Sequence, residues 1–186
     1  MPRLGGIAVI AGFLVSTVYL LIVMSLEGTL TLHGPDNYYI KLLGFFIGLL
    51  ILSTFCFFDD WKGIPPYIKL IGQTLAALVV AFSGIRIDRI AIYDLNSIIP
   101  NEILSIVLTM IWIVGITNAI NLIDGLDGLS SGICLISCFS LLIIFTLNGS
   151  PLISILLITA LGGALVGFLP FNFNPAKTFI GDTGSN

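Results

Sequence analysis

Six long apolar stretches, separated by short polar gaps, are the feature that most constrains how this chain folds. Five of them contain no charged residue, and the third contains only Lys69, whose long stem can carry its ammonium group to the membrane surface. Each stretch approaches the roughly 17–25 residues that an α-helix needs to cross a bilayer. We therefore predict an all-α integral membrane protein, a polytopic bundle of about six transmembrane helices in one domain over residues 1–186. The predicted helices cover residues 4–26, 42–58, 67–85, 103–123, 128–147 and 152–171.

The scarcity of charge excludes the other broad classes of protein. The 186 residues include seven basic and ten acidic side chains, and the mean hydropathy is +1.12. A soluble domain carries about 25% charged residues, whereas this chain carries 9%. A soluble globular domain, a disordered tail and a disulfide scaffold are therefore excluded. The net charge of −3 also argues against a nucleic-acid partner.

Six helices would place the polar gaps alternately on the two faces of the membrane. Side one then contains residues 1–3, 59–69, 124–127 and 172–186, and side two contains residues 27–41, 86–102 and 148–151. Lysine and arginine number four on side one and three on side two, so the positive-inside rule does not orient the chain. The three segments that are densest in chemically active residues fall on side one, namely residues 59–62, 118–128 and 172–185. An odd number of helices would divide these segments between two compartments.

All five acidic residues of side one are aspartates at or just beyond the end of an apolar stretch. They are Asp59, Asp60, Asp124, Asp127 and Asp182. Adjacent carboxylates repel each other near a low dielectric unless a cation or a proton is present. Short carboxylates from several helix ends suit Mg²⁺, which prefers one or two of them together with phosphate oxygens. An ordinary solvated loop is the simpler explanation for any single pair, but three such segments on one face favour a site.

Glycine and asparagine accompany these aspartates. Glycines flank Asp127 and Asp182 and allow a backbone to approach a phosphate closely, although turn formation alone explains part of this pattern. Asparagine amides can recognise a base or a sugar. The chain contains no GxxxxGK[ST] loop, and His33, its one histidine, lies on side two, so neither a P-loop nor a Ser-His-Asp triad is predicted. The features that favour a metal, a phosphate and a membrane together suggest phosphoryl transfer between one lipid substrate and one soluble substrate. A cytosolic nucleotide derivative as the soluble substrate would place side one in the cytoplasm.

Glycine and cysteine within the apolar stretches are expected to serve packing. Gly44 with Gly48, and Gly163 with Gly167, fit the GxxxG spacing that permits close contact between helices. Cysteines occur in the second and fifth predicted helices without metal-ligand spacing, and we expect them to pack as small apolar residues. They are Cys56, Cys134 and Cys138.

Five segments together resemble the bacterial polyprenyl-phosphate N-acetylhexosamine-1-phosphate transferases, or glycosyltransferase family 4. They are Pro2-Arg3-Leu4-Gly5-Gly6, Phe58-Asp59-Asp60, Lys69-Leu70-Ile71-Gly72-Gln73, the run from Asn118 to Gly128, and the run from Phe171 to Ser185. The resemblance implies transfer of a sugar-1-phosphate from a UDP-sugar to undecaprenyl phosphate with release of UMP, Mg²⁺ as cofactor and Mn²⁺ as an alternative. The sequence of the Asn118–Leu129 run is more similar to the family's GlcNAc-1-phosphate transferases than to its phospho-MurNAc-pentapeptide transferases.

The resemblance also implies roles for individual residues. Asp182 would bind the metal, and Asp59, assisted by Asp60, would act as base toward the lipid phosphate or orient it. The residues implied at the nucleotide-sugar are Asn121, Asp124, Asp127, Asn172 and Phe179. Charge alone adds Lys62 and Lys177 as weaker phosphate contacts.

The resemblance further implies a multi-pass protein of the bacterial cell membrane with its site facing the cytoplasm. Its partners would be the polyprenyl phosphate, the UDP-N-acetylhexosamine, the bilayer and, as an open question, a second copy of the chain. Because the chain starts at the first motif and stops one residue after the last, we expect a fragment of a longer enzyme. Phospho-MurNAc-pentapeptide transferase is one alternative function, and an inactive fragment or a transporter-like protein is another. A transporter would carry its acidic residues near mid-helix.

Overall fold

The computed structural model describes residues 5–28, 38–90, 93–94 and 102–186, and these residues form seven α-helices and one short hairpin. The helices are α1 (Gly5–Leu26), α2 (Tyr38–Lys62), α3 (Pro66–Phe82), α4 (Ile103–Ile123), α5 (Leu129–Leu147), α6 (Leu152–Asn172) and α7 (Asp182–Ser185). Between α3 and α4, strand β1 (Arg89–Ile90) pairs antiparallel with β2 (Tyr93–Asp94). Pro2, Arg3 and Leu4 of the first motif, and His33, lie outside the described residues.

Five of the described helices are long and apolar enough to cross a membrane, namely α1, α2, α4, α5 and α6. Their outward side chains are apolar as well: Leu26, Leu122 and Leu147 are each at least 80% exposed. Water would penalise such a surface, whereas lipid does not. The prediction of an all-α polytopic membrane protein is therefore confirmed. The helix α3 has 17 residues, about 26 Å at 1.5 Å per residue, and its crossing of the bilayer stays a prediction.

The second helix is longer than the sequence predicts, because charged residues do not end it. We predict a helix over residues 42–58, but α2 continues through Asp59, Asp60 and Lys62. It ends at Lys62, and the next residue, Gly63, has φ +66° and donates its backbone N–H to Asp59 O at 2.8 Å. Glycine adopts this left-handed conformation readily, and Pro66 then begins α3 with its φ already suited to a helix. Asp59 and Asp60 consequently lie on the last turn of a helix.

The chain divides into two compact units, and the first comprises Met1–Thr31 and Ile120–Ser185. Within it, α6 packs against α1 and α5, and α7 contacts the start of α1. Apolar side chains of these elements form its core: Val9, Cys138, Leu165, Phe168 and Ile180. Gly12 faces Ala164 of α6, but no described atom lies within 4 Å of a Cβ built on Gly163 or Gly167. That pair therefore does not form a packing seam in the part of the chain that the structure describes.

The second unit comprises Leu32–Ala119 together with Asn186. Here α2 packs against α3 along small residues. A Cβ on Gly44 would collide with Ser83, and one on Gly48 would lie 2.6 Å from Val80 Cγ2. The predicted packing role is thus observed for Gly44 and Gly48.

Polar side chains of α4 form hydrogen bonds with the backbone segment that precedes the hairpin of this second unit. Ile87 donates its N–H to Thr109 Oγ1 at 2.9 Å, and its carbonyl accepts from Ser105 Oγ at 2.7 Å. Both hydroxyl residues are buried, so these bonds satisfy backbone groups away from water.

The three cysteines are free, with Cys56 and Cys138 buried and Cys134 partly buried, as expected of packing residues.

Candidate active site

One amide in the first unit joins the end of α4 to the short helix α7. Asn121 Nδ2 donates to Asp182 Oδ1 at 2.6 Å and to Ser185 Oγ at 2.8 Å. Asn121 and Asp182 are 61 positions apart in the sequence, and the sequence predicts both as site residues. The fold therefore brings two of the predicted functional residues into direct contact.

The two aspartates between α4 and α5 are each held by neutral donors of the same unit. Ser130 Oγ donates to Asp124 Oδ1 at 2.6 Å. Asp127 Oδ2 accepts from Asn174 Nδ2 at 3.2 Å and from the backbone N–H of Ala176 at 3.0 Å. Asp127 thus ties the α4–α5 loop to the loop that follows α6. Hydroxyl and amide donors orient a carboxylate without adding a counter-charge.

Asn172, at the end of α6, is buried and bonded on both sides of its amide. Its Oδ1 accepts from Ser131 Oγ at 2.6 Å, and its Nδ2 donates to the carbonyl of Thr178 at 3.1 Å. Asn172 and Ser131 are 2% and 1% exposed, so this bridge lies inside the protein. It fixes the loop after α6 just before Phe179.

That loop also rests on the start of α1. Gly5 donates its backbone N–H to Phe179 O at 3.0 Å, and Gly6 donates to Ile180 O at 2.7 Å. A Cβ on Gly6 would collide with the backbone of Gly184, so the glycine pair permits a contact that any side chain would prevent. Phe179 remains 39% exposed, and Lys177 is exposed as well. Both therefore lie at the surface of this loop.

The first unit contains an oxygen donor that fits the divalent cation implied by the resemblance. Among the described residues, no group of three or more His, Cys, Asp or Glu side chains is arranged to hold a metal ion. Mg²⁺, however, takes few protein ligands and completes its shell with phosphate oxygens and water. Asp182 is partly exposed and has one carboxylate oxygen oriented by Asn121. A hard oxygen donor of this kind fits such a site.

The second unit contains the adjacent pair Asp59 and Asp60. Asp59 Oδ2 lies 3.3 Å from Lys69 Nζ, and Asp59 Oδ1 accepts from the backbone N–H of Ile64 at 2.9 Å. The side chains of Lys69 and Asp59 are 14% and 15% exposed. Lys69 therefore supplies a counter-charge to Asp59, a partner that the sequence analysis did not assign.

Lys62 lies at the surface of the second unit, whereas Gln73 lies inside it. The ammonium of Lys62 lies 4.8 Å from the centre of the Trp61 ring, on an exposed surface. Gln73 is buried, and its Oε1 accepts from Asn118 Nδ2 at 2.7 Å, which ties α3 to α4. The two motif residues Gln73 and Asn118 thus form an internal contact.

The structure places Asp59, Asp60 and Lys62 in the second unit and the other predicted site residues in the first. Within the latter group, Asn121 and Asp182 contact each other directly. Asp124, Asp127 and Asn172 bond instead to other residues of the same unit. Lys177 and Phe179 lie at the surface of the loop after α6. The assembly of both groups into one site stays a prediction. Sequence reasoning did not identify Ser130, Ser131 or Ser185. The one sequence feature that could have indicated these serines is that each of them follows a motif aspartate within a few residues.

Comparisons with known proteins add an independent line of evidence. The model of glycosyl transferase family 4 matches residues 42–186. A probable undecaprenyl-phosphate N-acetylglucosaminyl 1-phosphate transferase of Bacillus subtilis (strain 168) is 34% identical over 100% of this chain and 48% of the relative. A phospho-N-acetylmuramoyl-pentapeptide-transferase of Staphylococcus saprophyticus is 30% identical over 99% of this chain and 58% of the relative.

A phospho-N-acetylmuramoyl-pentapeptide-transferase of Clostridioides difficile (strain 630) is 38% identical over 75% of this chain and 48% of the relative. The chain thus spans about half the length of the curated relatives it matches. The family match covers well over half of the 186 residues and includes every predicted site residue. The chain belongs to glycosyl transferase family 4.

Proposed function

We propose that this protein transfers N-acetylglucosamine-1-phosphate from UDP-GlcNAc to undecaprenyl phosphate and releases UMP, as the first membrane step of a cell-envelope polysaccharide. The observation that carries the proposal is the contact of Asn121 with Asp182, which joins two Asp-containing motifs of the first unit. Family membership and the name of the Bacillus subtilis relative support the reaction class and the sugar.

The proposed reaction exchanges one phosphorus–oxygen bond for another. An oxygen of the lipid phosphate attacks the β-phosphorus of the UDP-sugar and forms a new diphosphate linkage. The bond from the β-phosphorus to the bridging oxygen breaks, and the electron pair leaves with UMP. Since a phosphate monoester has a second pKa of about 6, the lipid phosphate is already mostly ionised at neutral pH. Asp59, held by Lys69, is therefore suited to orienting the lipid phosphate more than to deprotonating it.

Asp182 would hold Mg²⁺, or Mn²⁺ as an alternative, and Asn121 would orient the carboxylate that does so. The bound cation neutralises diphosphate charge and favours in-line attack. Asp60 would assist at the phosphates beside Asp59. The exposed ammonium groups of Lys62 and Lys177 would provide further positive charge there.

The remaining predicted residues would recognise the nucleotide-sugar. The exposed ring of Phe179 offers a surface on which a base can stack. Asp124 and Asp127 offer carboxylate acceptors, and Asn172 lies directly behind the same loop. Because UDP-sugars are soluble cytosolic compounds, the site would face the cytoplasm from the bacterial cell membrane. A second copy of the chain is a further proposed partner.

A second candidate is phospho-MurNAc-pentapeptide transfer, since relatives of 30% and 38% identity carry that name. A transporter-like function is less well supported. The aspartates singled out above lie on the last turn of α2, in the loop between α4 and α5, or at the start of α7. None of these positions is near the middle of a described helix.

Membranes containing the full-length protein provide the test. We expect radiolabel from UDP-GlcNAc to enter the lipid fraction when undecaprenyl phosphate and Mg²⁺ are both present. Asp182→Asn, which keeps a group that can accept from Asn121, is expected to lower this rate by roughly a hundredfold or more while membrane insertion is unchanged. Glu27→Gln, an exposed substitution after α1, serves as the matched control.

Two results would count against the proposal. Label that enters lipid only from UDP-MurNAc-pentapeptide would replace the proposed sugar with the second candidate. Near-normal turnover by Asp182→Asn would remove Asp182 from the metal site.

A further inference from the structure

Ser131 is a buried hydroxyl with no role in the proposed chemistry, yet it occupies one end of a bridge that leads to the candidate nucleotide site. The bridge runs from Ser131 Oγ to the amide of Asn172 at 2.6 Å, and from that amide to the carbonyl of Thr178 at 3.1 Å. It connects the first turn of α5 with the loop that follows α6.

The direction of each hydrogen bond in this bridge follows from its last member. A carbonyl oxygen only accepts, so the Thr178 end must face the NH₂ group of Asn172. The amide oxygen of Asn172 therefore faces Ser131, and the Ser131 hydroxyl must donate its proton to it. No other assignment satisfies all three groups. Since Ser131 and Asn172 are 1% and 2% exposed, water cannot easily replace either partner.

The bridge ends beside Phe179, the aromatic residue proposed to stack on the base. Thr178 directly precedes Phe179, which is 39% exposed and whose carbonyl accepts from the backbone N–H of Gly5. The backbone on both sides of the Phe179 α-carbon is thus held, on one side by Asn172 and on the other by α1. A backbone fixed in this way loses little conformational freedom when a planar ligand stacks on the side chain that it carries.

We infer that Ser131 is a positioning residue for nucleotide recognition: through Asn172 it fixes the loop that presents Phe179 to the base of the UDP-sugar. The inference rests on the proposed function, because it requires a nucleotide at Phe179. It assigns Ser131 no contact with substrate and no part in the bond exchange. Loss of the bridge should therefore weaken nucleotide binding and leave the chemical step largely intact.

Kinetics of Ser131→Ala in the full-length protein test this inference. We expect the KM for UDP-GlcNAc and the inhibition constant for UMP to rise about tenfold, with kcat changed by less than about twofold. Ser131→Thr, which keeps the hydroxyl, should restore most of the affinity. Ser137→Ala and Ser140→Ala are matched controls, because these serines lie on the same helix, are exposed, and bond only to backbone carbonyls one turn earlier.

A second measurement separates positioning from a general loss of stability. If Ser131 acts through Phe179, Ser131→Ala should add little to the KM of a Phe179→Ala protein, because the ring it positions is already gone. The same tenfold increase in both backgrounds would show a structural defect and overturn the inference. An unchanged KM and UMP affinity in Ser131→Ala would overturn it as well. Absence of transfer and of UMP binding in the wild-type protein would instead contradict the proposed function.

Discussion

At the scale of single residues, several aspartates of the candidate site are oriented by defined donors. Asp124, Asp127 and Asp182 each accept from a hydroxyl or an amide. Asp59 accepts from a backbone N–H at 2.9 Å and has an ammonium group 3.3 Å away. A hydrogen-bond donor fixes the direction of a carboxylate, and an ammonium also compensates its charge.

The Asp59–Lys69 pair should contribute to stability more than a surface pair does. Lys69→Met would leave Asp59 largely out of water without its counter-ion, and we expect it to lower the free energy of unfolding by about 1–3 kcal/mol. Lys62→Met, seven positions earlier, removes an exposed ammonium and its contact with Trp61, worth about 0.5–1 kcal/mol. Denaturant unfolding of the purified protein in detergent compares the two. Equal losses would show that Lys69 does not stabilise Asp59.

At the scale of helices and strands, hydropathy predicts which segments are helical but not where each helix ends. Each of the six apolar stretches contains a helix, and five of these helices are long and apolar enough to span lipid, where a backbone has no other way to satisfy its polar groups. Hydropathy places the end of α2 too early, because charged residues do not stop the helix, which runs to Lys62 beside the left-handed Gly63. The hairpin β1–β2 was not predicted, as two residues per strand leave no alternating pattern to detect.

The GxxxG spacing alone also does not predict which glycine pair lies at a contact between two helices. Gly48→Ala would place a methyl group 2.6 Å from Val80 Cγ2 and 3.2 Å from Ala76 O, so we expect a loss of about 1–3 kcal/mol. Gly163→Ala meets no described atom within 4 Å and should be neutral or slightly stabilising, because alanine favours a helix. Thermal unfolding of both variants in one detergent provides the comparison. Destabilisation by Gly163→Ala equal to that by Gly48→Ala would contradict the assigned seam.

At the scale of the whole molecule, motif residues could be predicted from the sequence but their hydroxyl partners could not. Asp182 and Asn121 stand out because their residue types and flanking glycines are unusual in an apolar chain. Ser131 does not stand out in the sequence, because a serine near the start of a helix is common and its partner Asn172 lies 41 positions away. Long-range contacts of this kind depend on how α5 meets α6, which hydropathy does not specify.

The six-helix topology is a prediction about the membrane, and side-specific labelling tests it. In a variant without the three native cysteines, single cysteines at Lys62 and Lys177 should react only with reagent supplied to the cytoplasmic face. A cysteine at Asn148, in the turn after α5, should react only from the opposite face. All three are exposed positions, so failure to react for steric reasons is not expected. Labelling of Lys62 and Lys177 from opposite faces would contradict six crossings.

In the proposed reaction a phosphorylated sugar, and not the sugar alone, passes to the lipid. UDP-GlcNAc carrying ³²P only in its β-phosphate distinguishes these outcomes in membranes that contain the full-length protein, undecaprenyl phosphate and Mg²⁺. We expect the ³²P to enter the lipid fraction in step with the release of unlabelled UMP. Retention of the ³²P in soluble UDP, with the sugar transferred to lipid, would overturn the proposed function.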